Sequence, residues 1–391
     1  MKNILLVGNW SSDTGYAWWL METFWLAIAA EFRDRCRVIV CYPQVTTVSP
    51  RLSAANIAVV QFDFDKAQPL QLASFMRDNQ IGCVYLTDKK YVSWQYCLLR
   101  AVGVRRIIMH DHMPGTRSSP SLFKRLLKSA VASVPALTAD AYIAVSDQIL
   151  QRFENVACLP RHKCHLARNG IDVGRVADAQ PDDIRGELGI ALDATLIVSS
   201  GRLTHYKGIQ LIIEAANALI NERGIGQLFF AHCGDGPDRE IFAGQIERFG
   251  LQRRFFLLGM RSNIPGILQS ADIAVHASQG EGLSLSILEF MAAGLPVVVS
   301  DDPTVSQTVI NNVTGLHFKT GDSVDLASKL QPLIQSKELQ LSLGNRAARE
   351  VREHYSLDQT VAAVLSVLNK TLAADFSEGA SAPAARQQRS P

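Results

Sequence analysis

The chain has no apolar run long enough to cross a bilayer. Its nearest approach, residues 17–30 (AWWLMETFWLAIAA), is shorter than the ~20 residues a spanning helix needs, and it contains Glu22. A cleavable leader is not expected either. The start, MKNILLVGNW, has a four-residue apolar run and no small-residue cleavage site, so it reads as a first strand. The seven cysteines form no CxxC pair and are odd in number, which argues against a disulfide framework and for a reducing compartment, so a cytoplasmic protein is expected. No basic run is interleaved with aromatics, and no recognised nucleic-acid module is present, so nucleic acid is not an expected partner. No repeat of fixed period occurs either.

What is present is a chain of 391 residues, 47% hydrophobic and 19% charged, which fits two folded domains rather than a small module or a disordered chain. The formal net charge of +2 hides an asymmetry. Residues 1–180 carry 21 Lys+Arg against 14 Asp+Glu, and the remainder carries 18 against 23. A basic first half fits an anionic partner, such as a membrane leaflet or a phosphorylated substrate, and equally a solvated basic face. Arg100, Arg105, Arg106, Arg117, Lys124, Arg125 and Lys128 concentrate the charge, and residues 121–132 could form a helix bearing part of it.

Short β-branched apolar runs alternate with longer amphipathic stretches, the pattern of parallel strands joined by helices. Strands are predicted at 3–7, 36–40, 58–62, 84–87, 106–110 and 141–145, then at 195–199, 227–233, 255–259, 273–276 and 297–300. Each half therefore supports its own doubly wound sheet, with a ligand expected outside the carboxyl ends of the strands. The boundary is placed in the polar stretch 173–183. Residues 357–372 read as a final amphipathic helix, and 377–391, rich in Ala, Ser, Gln and Pro, as a disordered tail.

Two segments carry the chemistry. Ser199-Ser200-Gly201-Arg202-Leu203-Thr204-His205-Tyr206-Lys207-Gly208 follows a predicted strand, and its two cations, five residues apart, could bracket a diphosphate, Arg202 as a fork and Lys207 as a point charge. A surface loop with two solvated cations would look the same. The second segment runs from Glu281-Gly282-Leu283-Ser284 to Glu289. Gly282 is expected to open a helix whose free N–H groups face an anion, so that Glu281 and Glu289, eight positions apart, share a side of it. A carboxylate is a natural clamp for sugar hydroxyls, although Glu281 could instead serve the helix dipole and Glu289 could be an exposed helix residue. The apolar neighbours Leu288, Phe290 and Met291 favour burial of Glu289, where an idle carboxylate would be costly.

The succession Gly201-Arg-Leu-x-x-x-Lys-Gly208, Cys233-Gly-Asp-Gly-Pro237, Ser278-x-x-Glu-Gly282 and Glu281-x7-Glu289, followed by Ala-x-Gly-x-Pro-Val, resembles the retaining GT4 glycosyltransferases of the GT-B fold. Asn169-Gly170-Ile171-Asp172 and Ala144-Val145-Ser146 extend the likeness upstream. The resemblance implies an α/β architecture of two Rossmann-like doubly wound domains facing across a cleft. An acceptor-side domain would span 1–176 and a nucleotide-sugar domain 177–356, with a helix at 357–373 returning to the first. Arg202 and Lys207 would hold a UDP- or GDP-linked diphosphate and stabilise it as it leaves, Glu281 and the N–H groups of Gly282, Leu283 and Ser284 would contact sugar and phosphates, and Glu289 would bind the ribose. Gly201 would supply the turn. In the first half Gly15 is the best counterpart of the family's glycine-rich loop, and His110 resembles a histidine placed beside the donor sugar, with Asp111 and His112 as possible contributors.

The implied activity is transfer of a hexose-type sugar to a saccharide or polyprenyl-linked acceptor in polysaccharide or glycoconjugate synthesis, at the inner face of an anionic membrane. Other activities of the same fold, an epimerase or phosphorylase, and a non-catalytic partner subunit are the alternatives. No metal is expected. Asp63-Phe64-Asp65 has the spacing of a metal-binding DxD without its context, and Cys158, His162, Cys164 and His165 match no standard zinc spacing.

Overall fold

The computed structural model describes residues 2–13, 16–115 and 117–377. Gly15 and residues 378–391 of the expected tail lie outside the described residues. Among the described residues the chain forms two compact units, one comprising 2–13, 16–112, 117–167 and 361–377, the other 113–115 and 168–360. The stretch 173–183, expected as a linker, begins with a short helix, Val173–Ala177, capped by the Asp172 side chain.

The first unit is built on seven parallel strands: β1 (Asn3–Val7), β2 (Val38–Tyr42), β3 (Ala58–Gln61), β4 (Ile81–Thr87), β5 (Arg106–Asp111), β6 (Ala141–Ala144) and β7 (Cys164–Leu166), in the order β3-β2-β1-β4-β5-β6-β7. Sequences such as NILLV and IGCVYLT are apolar on both faces because helices cover both faces of a parallel sheet, and their side chains are almost all buried. The second unit has six strands: β8 (Thr195–Ser200), β9 (Leu228–Cys233), β10 (Phe255–Leu257), β11 (Ile273–His276), β12 (Val297–Ser300) and β13 (Gly315–Phe318), ordered β10-β9-β8-β11-β12-β13. Its core is Ile197, Ile213, Phe230, Phe242, Val275 and Val298, all at most 1% exposed.

In each sheet the strand order reverses once, between β1 and β4 in the first unit and between β8 and β11 in the second. Chain leaving these strands diverges to opposite sides, which opens a crevice at their carboxyl ends. The last helix, Leu357–Ser377, begins in the second unit, where Thr360 Oγ1 donates to the Arg168 carbonyl at 2.7 Å. From residue 361 onward it belongs to the first unit, burying Val364, Leu368 and Leu372, and Asn369 donates to Glu31 at 3.0 Å. Gly170 lies against the start of this helix in the second unit. A Cβ there would meet the Ser356 carbonyl at 2.5 Å.

Candidate functional site

The two chemistry-bearing segments of the sequence leave adjacent strands, β8 and β11, at the switch point of the second unit. After β8 the chain turns through Gly201, whose φ of +147° suits glycine, and reaches a single 3-10 turn, His205–Lys207, ended by Gly208 at φ +73°. A Cβ on Gly208 would lie 2.1 Å from the Ala277 carbonyl, so only glycine lets this turn sit against the segment that follows β11. The Gly201 carbonyl is held from behind by His232 Nε2 at 3.0 Å. Because that nitrogen donates, His232 Nδ1 is the acceptor, and it takes the Ser199 hydroxyl at 2.8 Å. Complete burial pushes His232 down to about 4, so the ring is neutral and rigid near neutral pH.

Lys207 Nζ lies 2.6 Å from Glu281 Oε1, and His276 Nε2, at the end of β11, lies 2.9 Å from the same oxygen. Burial alone would raise the Glu281 carboxyl. The His276 hydrogen bond and the charges of His276 and Lys207 outweigh it and hold the group down at about 2. The Glu281 backbone N–H donates to Thr304 Oγ1 at 2.9 Å, and Thr304 donates in turn to Asp302 at 2.5 Å. Tyr206 donates its hydroxyl to the Gly280 carbonyl, and Gln307 donates to the Gly282 carbonyl at 3.0 Å. These bonds clamp 280–282 in an extended turn. Arg202, by contrast, is exposed.

The helix after this turn starts later than the sequence suggested. It spans Leu285–Ala292 with Ser284 as its N-cap residue, so Gly282 does not open it and Glu281 stands three residues outside. The turn at 281–284 is dictated by the hydrogen bonds to Thr304 and Gln307, which intrinsic helix propensity does not reveal. The Ser284 side chain does not cap the helix and sits 3.4 Å from His276 Nε2. Glu289 is on the helix and only 6% exposed, with Leu283 at 7%. The second unit therefore brings Lys207, Glu281 and Ser284 together around His276, while Gly201, Arg202, Gly282 and Leu283 lie in the same two loops and Glu289 lies on the helix that follows. Sequence reasoning missed His276, Thr304, Asp302 and Gln307. Only His276 carried a signal, a histidine ending a strand two residues before Ser278-x-x-Glu-Gly.

His110 lies in the first unit, at the end of β5, with its ring fully buried. Its Nδ1 is 2.5 Å from the Tyr85 hydroxyl and its ring centroid 4.2 Å from that of His112. Desolvation pushes His110 well below the usual imidazole range and His112 to about 4. Asp111, also fully buried, pairs with Arg152 at 3.0 Å and accepts the Tyr91 hydroxyl, so it is committed to the interior. Around the switch point of this unit Asn9 Oδ1, Thr87 Oγ1, His110 Nε2 and His112 Nε2 are buried without a hydrogen-bond partner among the described residues.

Two other sequence signals resolve locally. Asp63 Oδ1 accepts the N–H groups of Asp65 and Lys66, at 3.2 and 3.0 Å, and so closes a turn, while Asp65 pairs with Lys89 at 2.6 Å. Among the described residues no three His, Cys, Asp or Glu side chains are grouped to hold a metal, the 158–165 segment included. No helix among them is long and apolar enough to cross a membrane.

Two family profiles match consecutive parts of the chain, "Glycosyl transferases group 1" over residues 180–350 and "Glycosyltransferase Family 4" over 21–175. N-acetyl-alpha-D-glucosaminyl L-malate synthase of Bacillus anthracis is 22% identical, over 57% of this chain and 57% of its own length. The UDP-Gal:alpha-D-GlcNAc-diphosphoundecaprenol alpha-1,3-galactosyltransferase of Escherichia coli is 29% identical over 47% and 48%. The chain thus spans about half the length of the curated relatives it matches. Among solved structures, Anabaena Alr3699/HepE in complex with UDP-glucose superposes with a TM-score of 0.73 at 21% identity, covering 95% of this chain and all of that one. Two consecutive family profiles and a two-sheet architecture with the matching motifs at its second switch point lead to one assignment: the chain belongs to the GT4 family of GT-B glycosyltransferases.

Proposed function

We propose that the protein is a retaining hexosyltransferase that takes a sugar from a UDP- or GDP-linked donor and delivers it to a saccharide or polyprenyl-linked acceptor, in polysaccharide or glycoconjugate synthesis. The observation that carries this reading is the placement of Arg202 and Lys207 after β8 and of Glu281 after β11, side by side where the strand order reverses. In this reading the donor diphosphate lies against Arg202, Lys207 and the N–H groups of Gly282, Leu283 and Ser284, and Glu289 takes the ribose hydroxyls. Glu281, already ionised and oriented by His276, accepts hydroxyls of the transferred sugar. The bond from the anomeric carbon to the diphosphate oxygen breaks, a bond to the acceptor oxygen forms on the same face, and the acceptor proton passes to the departing phosphate. Arg202 and Lys207 stabilise the charge that builds there. No metal is required in this scheme. A lipid-linked acceptor, of the kind named for the E. coli relative, would place the enzyme in the cytoplasm at the inner face of an anionic membrane.

A panel of UDP- and GDP-sugars tests the reading. The binding donor raises the melting temperature, and with acceptor present transfer follows that is lost in Lys207→Ala and Glu289→Ala. Epimerised donor in the absence of acceptor, or turnover unchanged in both variants, overturns it.

A further inference from the structure

The helix Leu122–Ala132 of the first unit buries a single residue, Ala132. Leu122, Phe123, Leu126 and Leu127 are 81%, 78%, 72% and 58% exposed. At ~100° per residue these four and Ala130 fall within one arc of about 140°, while Lys124, Arg125, Lys128, Ser121 and Ser129 occupy the opposite arc. Eleven residues are too few for a helix to be stable in water by itself, and here tertiary packing supplies almost nothing. A contiguous exposed apolar stripe of this kind marks an interaction surface.

Charge decides what covers it. Residues 112–139 contain no Asp or Glu but carry Arg117, Lys124, Arg125 and Lys128. The flanking acids are already paired, Asp111 with Arg152 and Asp140 with Arg100, so Lys124 and Arg125 face no acid within 112–139, while Lys128 donates to the Val156 carbonyl at 2.8 Å. Arg100, spent on Asp140, does not add to their positive charge. An apolar stripe bordered by cations fits an acyl layer beneath anionic headgroups. We propose that Leu122–Ala132 is the segment by which this protein lies on an anionic lipid surface, with Phe123 and Leu126 entering the acyl boundary and Lys124 and Arg125 meeting the headgroups. This deepens the reading of a lipid-linked acceptor and rests on it for its biological sense, but not for its test.

The test is co-sedimentation with vesicles of phosphatidylcholine, with and without phosphatidylglycerol. The wild-type chain is expected to pellet with the anionic vesicles and to be released by salt. Phe123→Ser with Leu126→Ser should lower the partition at least about tenfold. Lys124→Ser with Arg125→Ser should abolish the preference for anionic vesicles. Both pairs are exposed, so melting temperature and nucleotide-induced thermal shift should stay at wild-type values, which separates failure of this proposal from failure of the donor-site reading. Phe123→Trp should show a blue-shifted emission on anionic vesicles alone. Wild-type protein remaining in the supernatant with both vesicle types overturns the proposal, as does equal pelleting of the apolar variant. Concentration-dependent self-association that the Phe123→Ser, Leu126→Ser pair removes, with vesicle binding unaltered, would assign the stripe to a second copy of this chain instead.

Discussion

The two switch points are built alike and furnished in opposite ways. In the second unit, although Ser200 Oγ at the end of β8 is buried without a partner among the described residues, the central group is charged and satisfied, Glu281 being held by Lys207, His276 and its own backbone bond to Thr304. In the first unit, beside the Asp111–Arg152 ion pair, Asn9, Thr87, His110 and His112 are neutral and each keeps a buried atom without a partner among the described residues, and the two adjacent imidazoles are pushed below their usual range. One edge is the one proposed to meet an anion. The other holds uncharged donors and acceptors, a chemistry suited to hydroxyl groups, and it can hold them only while the histidines stay unprotonated.

The contrast is sharpest at Lys207. Lys207→Ala should reduce turnover by about 10²–10³-fold, some 2.7–4 kcal/mol, if the charge developing on a leaving group is stabilised there. Replacing His110 by Asn should cost less in turnover. Equal losses in the two variants would erase the distinction drawn between the units.

Acidity probes the buried imidazoles. His112 and His232 titrate near 4 in the folded protein and desolvation holds His110 well below the usual imidazole range, whereas in the unfolded chain each takes up a proton near 6.5. Stability is therefore fully present above about pH 6.5 and is lost as pH falls toward 4. Asp88, raised to about 7 by burial, works in the reverse sense, since its folded carboxyl keeps a proton that the unfolded chain gives up, and it offsets one histidine. Glu281, held at about 2, adds a further loss as pH falls below 4.5. Urea unfolding at a series of pH values should show a net decline of about 2–4 kcal/mol between pH 6.5 and 4.5. A flat profile would mean that the imidazoles are charged in the native state.

Two smaller effects refine the second unit. Gly208→Ala should cost about 2 kcal/mol, combining a left-handed backbone with a Cβ forced onto the Ala277 carbonyl, and thermal melting would register it. His276→Gln should weaken donor binding about tenfold while sparing the fold, since glutamine can still donate to Glu281 but does not hold it with the rigid ring that ends β11. A loss of turnover with donor affinity unchanged would place His276 elsewhere in the reaction.

Legibility from sequence followed locality. The central strands of both sheets announced themselves as continuous apolar runs, whereas β7 (CHL) and β13 (GLHF) did not. Both are short edge strands with a polar residue in the middle, paired on one side only, so little selects for a long β-branched run. The residues proposed for the donor site were legible because each group of them lies within one short segment of sequence. His276, Thr304 and Gln307 act across loops, and the start of the helix at Leu285 depends on them. The polar set of the first unit comes from three separate strands, and no linear pattern joins Asn9, Thr87 and His110.

The last helix sets a timetable for synthesis. The hydrogen bond between Asn369 and Glu31 joins residues 338 positions apart. At ~5–20 residues per second a ribosome needs roughly 17–68 s to travel that distance. Throughout that interval the nascent first unit lacks Val364, Leu368 and Leu372, and these residues follow only after the second unit has ended at residue 360. The half of the molecule made first is thus finished last, and its uncovered apolar surface is the one a chaperone would have to shield.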